Sequence, residues 1–194
     1  MILPISGLAA IPVLMWARLS GKPWREFGFV RPRNWVKTVA IGIATGIALK
    51  VVMKAIVMPL FGADPVNHAY HVLAGNRAAL PSIVLAVTVG GGIGEEIVFR
   101  GFLFERLTRL LGHGARTRAV IVLLTAAGFG MLHYQDQGVA GAEQATITGL
   151  VFGGIFALTG VIWVPIFAHA AFDLAAVAMI YYNLESYFAH IVFK

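Results

Sequence analysis

The chain has 194 residues, the length of a single domain. It is 59% hydrophobic and only 12% charged, with a mean hydropathy of +0.81, whereas soluble chains are about 25% charged; this excludes an ordinary soluble protein and indicates an integral membrane protein. The net charge of +6 comes from basic residues spread between apolar segments, which argues against a nucleic-acid partner, and the absence of cysteine excludes disulfides, thiol nucleophiles and thiolate metal sites.

In chain order, six segments are apolar and long enough to be read as membrane spans, for which about 20 residues are needed. They cover about residues 2–18, 38–60, 82–104, 118–134, 144–159 and 161–183. No basic residue precedes the first segment, so it is predicted to be an uncleaved span and not a signal peptide. The sequence therefore predicts one all-α domain over residues 1–194, a polytopic membrane bundle of about six helices with a central polar cavity.

Lysine and arginine are distributed unevenly between the two sides of the predicted bundle. One side carries ten of them: Arg18, Lys22, Arg25, Arg31, Arg33, Lys37, Arg106, Arg109, Arg116 and Arg118. The other side carries only Arg77 and Lys194. By the positive-inside rule the basic loops are cytoplasmic and the N-terminus is outside. We expect the plasma membrane of a bacterium or an archaeon, with the lipid bilayer as a permanent partner.

Two features outside the main motifs have simple structural explanations. Lys50 and Lys54 lie one turn apart in the second segment. We expect them to snorkel to the interface or to show that this helix ends before residue 60. His68 and His71 lie in the polar stretch at 62–81, where an exposed mobile loop is favoured over a metal site.

The third segment contains three charged residues, Glu95, Glu96 and Arg100, where charge is expensive and usually functional. In a helix, residues four apart share a face, so Glu96 and Arg100 can pair, with the acid in the favourable N-terminal position. Glu95 projects about 100° away from Glu96. We therefore predict a buried structural ion pair between Glu96 and Arg100, with Glu95 free for chemistry.

Two more polar pairs interrupt later segments. Phe129 and His133 share one helix face, and so do His169 and Asp173. Burying these groups and the charges of the third segment separately would cost several kcal/mol each on conservative scales. A shared cavity lowers that cost. We expect it to open towards the cytoplasmic half, because His169 lies near the predicted inner end of its span.

This set of side chains suits hydrolysis by an activated water. A carboxylate beside an imidazole can act as general base, and the second imidazole and acid can hold an oxyanion. Glu95, His133 and His169 could also ligate zinc, which leaves a divalent metal as an open alternative. There is no His-Glu-x-x-His motif, no cysteine, and no span with a central serine beside a His or Lys partner. Direct attack by water is therefore favoured over a covalent nucleophile.

The three motifs, Glu-Glu-x-x-x-Arg, Phe-x-x-x-His and His-x-x-x-Asp, resemble in order and type those of the CPBP (ABI) family. This family contains type II CAAX prenyl endopeptidases and bacteriocin-processing or immunity proteins. The resemblance covers about residues 80–180, the family-like catalytic core. It implies a glutamate-dependent intramembrane endopeptidase that cleaves a peptide bond in a lipidated or membrane-associated peptide or protein.

Position by position, the resemblance implies that Glu95 activates water with His133, and that His169 with Asp173 stabilises the oxyanion. Glu96 and Arg100 would hold the site together. Asp173 stands where the motif also allows Asn. A carboxylate there is a poor hydrogen-bond donor to an oxyanion, and is better suited to bind a metal or to orient a histidine. The family is often labelled a metalloprotease, although no metal is obligatory in its prenyl-protease branch. Two alternatives stay open: a non-catalytic scaffold or immunity protein, and a proton-coupled transporter.

Overall fold

The structure is a computed structural model that describes residues 5–193, and these residues form helices and loops without strands. The helices are α1 (Ile5–Leu19), α2 (Trp35–Leu60), α3 (Arg77–Leu111), α4 (Ala115–Thr159), α5 (Trp163–Tyr181) and α6 (Glu185–Ala189). The helices α2 to α5 are long and apolar enough to cross a membrane. The predicted class, an all-α membrane bundle, is confirmed. The predicted start of the first span at residue 2, and Lys194, lie outside the described residues.

Helix α4 contains the fourth and fifth predicted spans and folds back on itself between them. Gly138 has non-helical backbone angles inside it, φ 64° and ψ −159°. A β-carbon built on Gly130 would lie 2.8 Å from the carbonyl oxygen of Ala142, and one on Gly149 would lie 3.0 Å from the Cα of Ala126. Residues 115–137 and 139–159 therefore pack as antiparallel arms, and they are joined between the predicted spans 118–134 and 144–159.

Helix α3 is not a regular α-helix along the stretch that carries the acidic motif. Ala86–Glu95 and Ile97–Leu103 are π-helical, and the backbone N–H of Phe104 donates to the carbonyl of Phe99, five residues earlier. Such wide turns are rare and are often found at functional sites. A β-carbon on Gly92 would lie 3.0 Å from the Cα of Ala170. The glycine-rich turns thus bring α3 against α5.

Helices α2 and α5 also pack closely, through small residues on facing surfaces. A β-carbon on Gly46 would lie only 2.0 Å from the carbonyl oxygen of Ala168, so no larger residue fits there. This is the small-residue packing that membrane helices use when lipid offers no hydrophobic driving force. Phe152 from α4 and Phe172 from α5 complete the core beside this contact.

The basic face of the bundle is held by ion pairs and aromatic contacts. Glu105 on α3 accepts hydrogen bonds from Lys22, Arg106 and Arg109, and Arg109 also pairs with Glu26 at 2.6 Å. The guanidinium of Arg106 lies 4.4 Å from the ring centre of Trp16 on α1. These contacts connect α1, the short turn after it and α3.

The expectation that Lys50 and Lys54 snorkel is wrong. Both are buried, with exposed fractions of 6% and 9%. Lys50 Nζ donates to Gln144 Oε1 at 3.1 Å, and Lys54 Nζ donates to Glu185 Oε1 at 3.3 Å and to the carbonyl of Pro65 at 2.5 Å. Gln144 and Glu185 lie 94 and 131 residues along the chain from these lysines, so helical spacing could not reveal the two pairs.

Candidate active site

Glu96 lies at the centre of a buried polar cluster between α3 and α5. Its Oε1 accepts a hydrogen bond from Arg100 NH1 and another from His169 Nδ1, both at 2.7 Å. All three residues are at least 95% buried. The i,i+4 pair is present with the geometry that the spacing requires, and the bond to His169 connects the first motif to the third.

Arg100 is enclosed by aromatic rings as well as by its carboxylate partner. Its guanidinium carbon lies 5.1 Å from the ring centre of Phe129, 5.9 Å from Phe152 and 6.0 Å from Phe99, within the range of cation–π attraction. Its NH2 donates to the carbonyl of Gly149 at 3.2 Å. Arg100 therefore joins α3 to both arms of α4.

The bond to Glu96 determines which nitrogen of His169 faces Glu95 and Asp173. A carboxylate paired with arginine is ionised and can only accept, so Nδ1 of His169 carries the proton in that bond. The other nitrogen, Nε2, lies 3.8 Å from Glu95 Oε2 and 3.6 Å from Asp173 Oδ2. These separations exceed direct hydrogen bonds, so Nε2 faces both carboxylates without being bonded to either.

Glu95 and Asp173 are less buried than Glu96. Their side chains are 14% and 26% exposed, compared with 0% for Glu96. The backbone of Gly91 forms the neighbouring wall, since a β-carbon there would lie 2.7 Å from Asp173 Oδ2 and 3.6 Å from His169 Nε2. The two adjacent glutamates thus have different environments, one sealed and paired, the other beside the open nitrogen of His169.

His133 lies next to this cluster, on the other side of an aromatic ring. Its ring centre is 4.5 Å from that of Phe129, which is itself 5.8 Å from the ring of His169. His133 Nδ1 donates to the carbonyl of Phe129 at 2.8 Å, because a carbonyl can only accept. Nε2 of the neutral ring is then the acceptor. In the described part of the chain, no ring nitrogen of His133 lies within 4 Å of a carboxylate oxygen of Glu95.

The zinc alternative requires at least three ligands aimed at one point. In the described part of the chain, no group of three or more His, Asp and Glu side chains is arranged to hold a metal ion. The donor types of Glu95, His133 and His169 suit zinc, and Nε2 of each imidazole is available because Nδ1 is held by a protein oxygen; it is the spacing of the three side chains that does not suit a metal ion. The arrangement does not fit a metal centre, and no step proposed below depends on one.

Some residues near the site gave no functional signal in the sequence. Tyr70, in the loop between α2 and α3, is bonded through its hydroxyl to Gln137 at 3.4 Å. Burial raises the pKa of Tyr70, and the nearby charges of Asp136, Asp173 and Glu95 raise it further. The loop therefore approaches the acidic groups of the site. A lone tyrosine in a polar loop has no periodicity that could have indicated this.

Comparison with known families agrees with the three motifs. A family model described as Rce1-like, type II CAAX prenyl endopeptidase Rce1-like, matches residues 77–175. These 99 residues are just over half of the 194 in the chain. The match confirms the resemblance read from the motifs. No curated protein and no solved structure matches the chain.

Proposed function

Because the chain belongs to the type II CAAX prenyl endopeptidase Rce1-like family, whose members are proteases, we propose a glutamate-dependent intramembrane endopeptidase. Its substrate is a lipidated or membrane-associated peptide, cleaved by water near the membrane surface. The observation that carries the proposal is the pair of adjacent glutamates with divided roles. Glu96 orients His169 at 2.7 Å, and Glu95 lies 3.8 Å from the opposite nitrogen of the same imidazole.

In the proposed reaction Glu95 is the general base. Its partly accessible carboxylate takes a proton from a water molecule, and the oxygen of that water forms a bond to the carbonyl carbon of the substrate. His133 assists, since its Nε2 is free to accept while Nδ1 is bonded to the carbonyl of Phe129. The proton taken from water is then transferred to the nitrogen of the leaving peptide when the C–N bond breaks.

His169 stabilises the oxyanion that forms in this step. In the proposed reaction its Nε2 carries a proton and donates it in a hydrogen bond to the carbonyl oxygen as negative charge develops. Glu96 fixes the ring from behind, and Asp173, 3.6 Å from Nε2, stabilises the positive imidazole. Asp173 thus acts on the oxyanion through His169. This indirect role suits a carboxylate, which stands here at a position where the motif also allows the amide of Asn.

The test is cleavage of lipidated peptides by the purified protein and by Glu95→Gln. We expect Glu95→Gln to abolish cleavage while the protein stays folded and extractable, because the amide keeps the shape and removes the base. Glu143→Gln is the matched control, since Glu143 is a partly exposed carboxylate on α4 outside the cluster. Cleavage by Glu95→Gln at the wild-type rate would refute the assignment.

Three further results would favour the alternatives to this proposal. Activity lost to a chelator and restored by zinc would assign a metal role. Proton flux in liposomes without cleavage would favour a transporter. If the protein acts as an immunity protein and its protection is kept when both Glu95 and His133 are replaced, a non-catalytic scaffold is favoured.

We propose that the basic loops face the cytoplasm and the N-terminus lies outside, in accordance with the charge distribution along the chain.

A further inference from the structure

The basic face of the bundle contains a cavity that the proposed reaction does not use. Its volume is about 450 Å³, which lies within the range of about 300–1,000 Å³ that is usual for ligand sites. Its walls come from the turn after α1, the end of α3, the start of α4 and the connection from α4 to α5. The charged and hydrogen-bonding side chains on these walls are Arg25, Glu26, Thr108, His113, Arg118 and Thr159. A ligand bound there touches the end of α3 and both ends of α4.

The two arginines of this cavity have no acidic partner in the described part of the chain. Within residues 5–193, no carboxylate oxygen lies within 4 Å of a guanidinium nitrogen of Arg25 or Arg118. Arg118 NH1 donates to the carbonyl of Ala157 at 3.3 Å, a neutral group. Among the described residues of the wall the single acid is Glu26, and it is already paired with Arg109 at 2.6 Å. The positive charges of both arginines are therefore available to an anion.

The ion pairs next to the cavity do not neutralise these arginines either. Two acids, Glu26 and Glu105, are paired there with three bases, which are Lys22, Arg106 and Arg109. Two negative charges against three positive ones already leave a net charge of +1. Adding the unpaired Arg25 and Arg118 raises it to +3. An anionic ligand thus meets charge that the surrounding protein leaves uncompensated.

Aromatic side chains place this cavity at the level of the membrane surface. Trp24, the neighbour of Arg25, packs against Phe29 with the two ring centres 5.5 Å apart, and Phe29 lies 5.8 Å from Trp163 at the start of α5. Trp163 Nε1 donates to the carbonyl of Val30 at 3.0 Å. Tryptophans at the ends of spanning helices are typical of the boundary between lipid and water, where the lipid headgroups lie. Anionic headgroups are therefore the anions closest to this cavity.

The composition of the walls suits a phosphate that is attached to an apolar molecule. The planar guanidinium of arginine binds phosphate oxygens through two parallel N–H bonds. Gly114 lies on the wall where α4 begins, and the start of a helix adds a partial positive charge. Phe104, Phe156 and Leu158 form the apolar part of the wall, and Leu158 is 87% exposed. These three side chains can contact the glycerol and the first acyl carbons of a lipid, whereas a free phosphate makes no use of them.

From these observations we propose that the cavity binds the phosphate of an anionic phospholipid headgroup, held by Arg25 and Arg118. The bound lipid connects the turn after α1 to both ends of α4 and so stabilises the bundle. This inference goes beyond the proposed reaction and does not rest on it, because neither arginine has a part in catalysis. Lipid binding can be measured without any substrate.

The first experiment follows thermal unfolding of the detergent-solubilised protein as phosphatidylglycerol or phosphatidylcholine is added. We expect phosphatidylglycerol to raise Tm, and phosphatidylcholine, which has no net charge, to leave it unchanged. Each arginine contributes about fivefold to the affinity for an anionic lipid, so Arg25→Gln with Arg118→Gln should weaken binding about 30-fold. The matched control is Arg31→Gln with Arg33→Gln, which removes the same charge from exposed positions outside the cavity wall and should keep the affinity.

Three outcomes of this experiment overturn the proposal. Equal Tm shifts with the two lipids show that the headgroup charge is not recognised. Full affinity in the variant of Arg25 and Arg118 excludes the cavity. Equal weakening in the two double variants assigns the attraction to the diffuse charge of the whole face.

Two further measurements use the wild-type protein, so they do not depend on the folding of a variant. Inorganic phosphate and glycerol phosphate are added at the concentration at which phosphatidylglycerol saturates the Tm shift, and we expect neither to change Tm. A shift of the same size with either compound overturns the assignment to a lipid in favour of a soluble phosphate. Native mass spectrometry in an equimolar mixture of the two lipids should show that the chain retains phosphatidylglycerol preferentially. Equal retention of both lipids overturns the proposal.

Discussion

Replacing Arg100 by methionine should destabilise the bundle by about 3–5 kcal/mol, the cost of breaking a buried ion pair by removing one partner. The change leaves the carboxylate of Glu96, which is 0% exposed, with His169 as its remaining hydrogen-bond partner. It also removes the donor to the carbonyl of Gly149. Methionine keeps an apolar stem among the three surrounding rings. The loss of unfolding free energy therefore measures the missing charge and hydrogen bonds more than a change in side-chain volume.

The measurement is thermal unfolding in detergent, where we expect Tm to fall by on the order of 10 °C. The chain offers a matched control in Glu105 and Arg109, a second i,i+4 pair on the same helix. Arg109 is 49% exposed, so Arg109→Met should cost at most about 1 kcal/mol. The double variant Glu96→Gln with Arg100→Met should recover most of the loss, because no unpaired charge remains buried. A wild-type Tm for Arg100→Met would refute the reasoning.

Two glycine substitutions test the backbone around the site. Gly91→Ala should lower kcat/KM by about 10²-fold, because its β-carbon would lie 2.7 Å from Asp173 Oδ2 and the Asp173 carboxylate must shift. Gly128→Ala, whose β-carbon has nothing within 4 Å, is the control. Normal cleavage by Gly91→Ala would contradict the close approach of α3 to Asp173. Gly138→Ala should cost about 1–3 kcal/mol in unfolding free energy, since φ 64° with ψ −159° suits only glycine. Gly154→Ala, in open space within a helix, should be neutral or stabilising, and equal Tm changes in these two variants would count against the turn at Gly138.

The parts of the site that the sequence could predict are those set by local geometry. The i,i+4 rule relates Glu96 to Arg100 and His169 to Asp173, because helical spacing alone determines which side chains share a face. The hydrogen bond between Glu96 and His169 joins residues 73 apart. No periodicity encodes that contact, so the role of Glu96 in orienting the histidine appears only when α3 and α5 are packed together.

The lysines of α2 show a second limit of sequence reasoning. A lysine near a helix end normally snorkels, and the sequence contains nothing that distinguishes Lys54 from that case. Its partner Glu185 is 131 residues away, on the short helix α6. The π-helical turns of α3 are similarly invisible to hydropathy, because they change the hydrogen-bond spacing of the backbone and leave the apolar composition unchanged.

The distribution of charge explains why the polar groups of this bundle depend on one another. The Glu96–Arg100 pair is neutral by itself, which leaves the carboxylates of Glu95 and Asp173 facing one imidazole nitrogen of His169 at 3.8 and 3.6 Å. A proton on that nitrogen offsets one of these negative charges. The ammonium of Lys50 lies 4.9 Å from the ring centre of Phe172, the residue before Asp173 on α5. The buried carboxylate of Glu96 is tolerated in the apolar interior because Arg100 on the same helix and His169 on α5 both donate to it, so these polar groups and the packing of α3 against α5 stabilise each other.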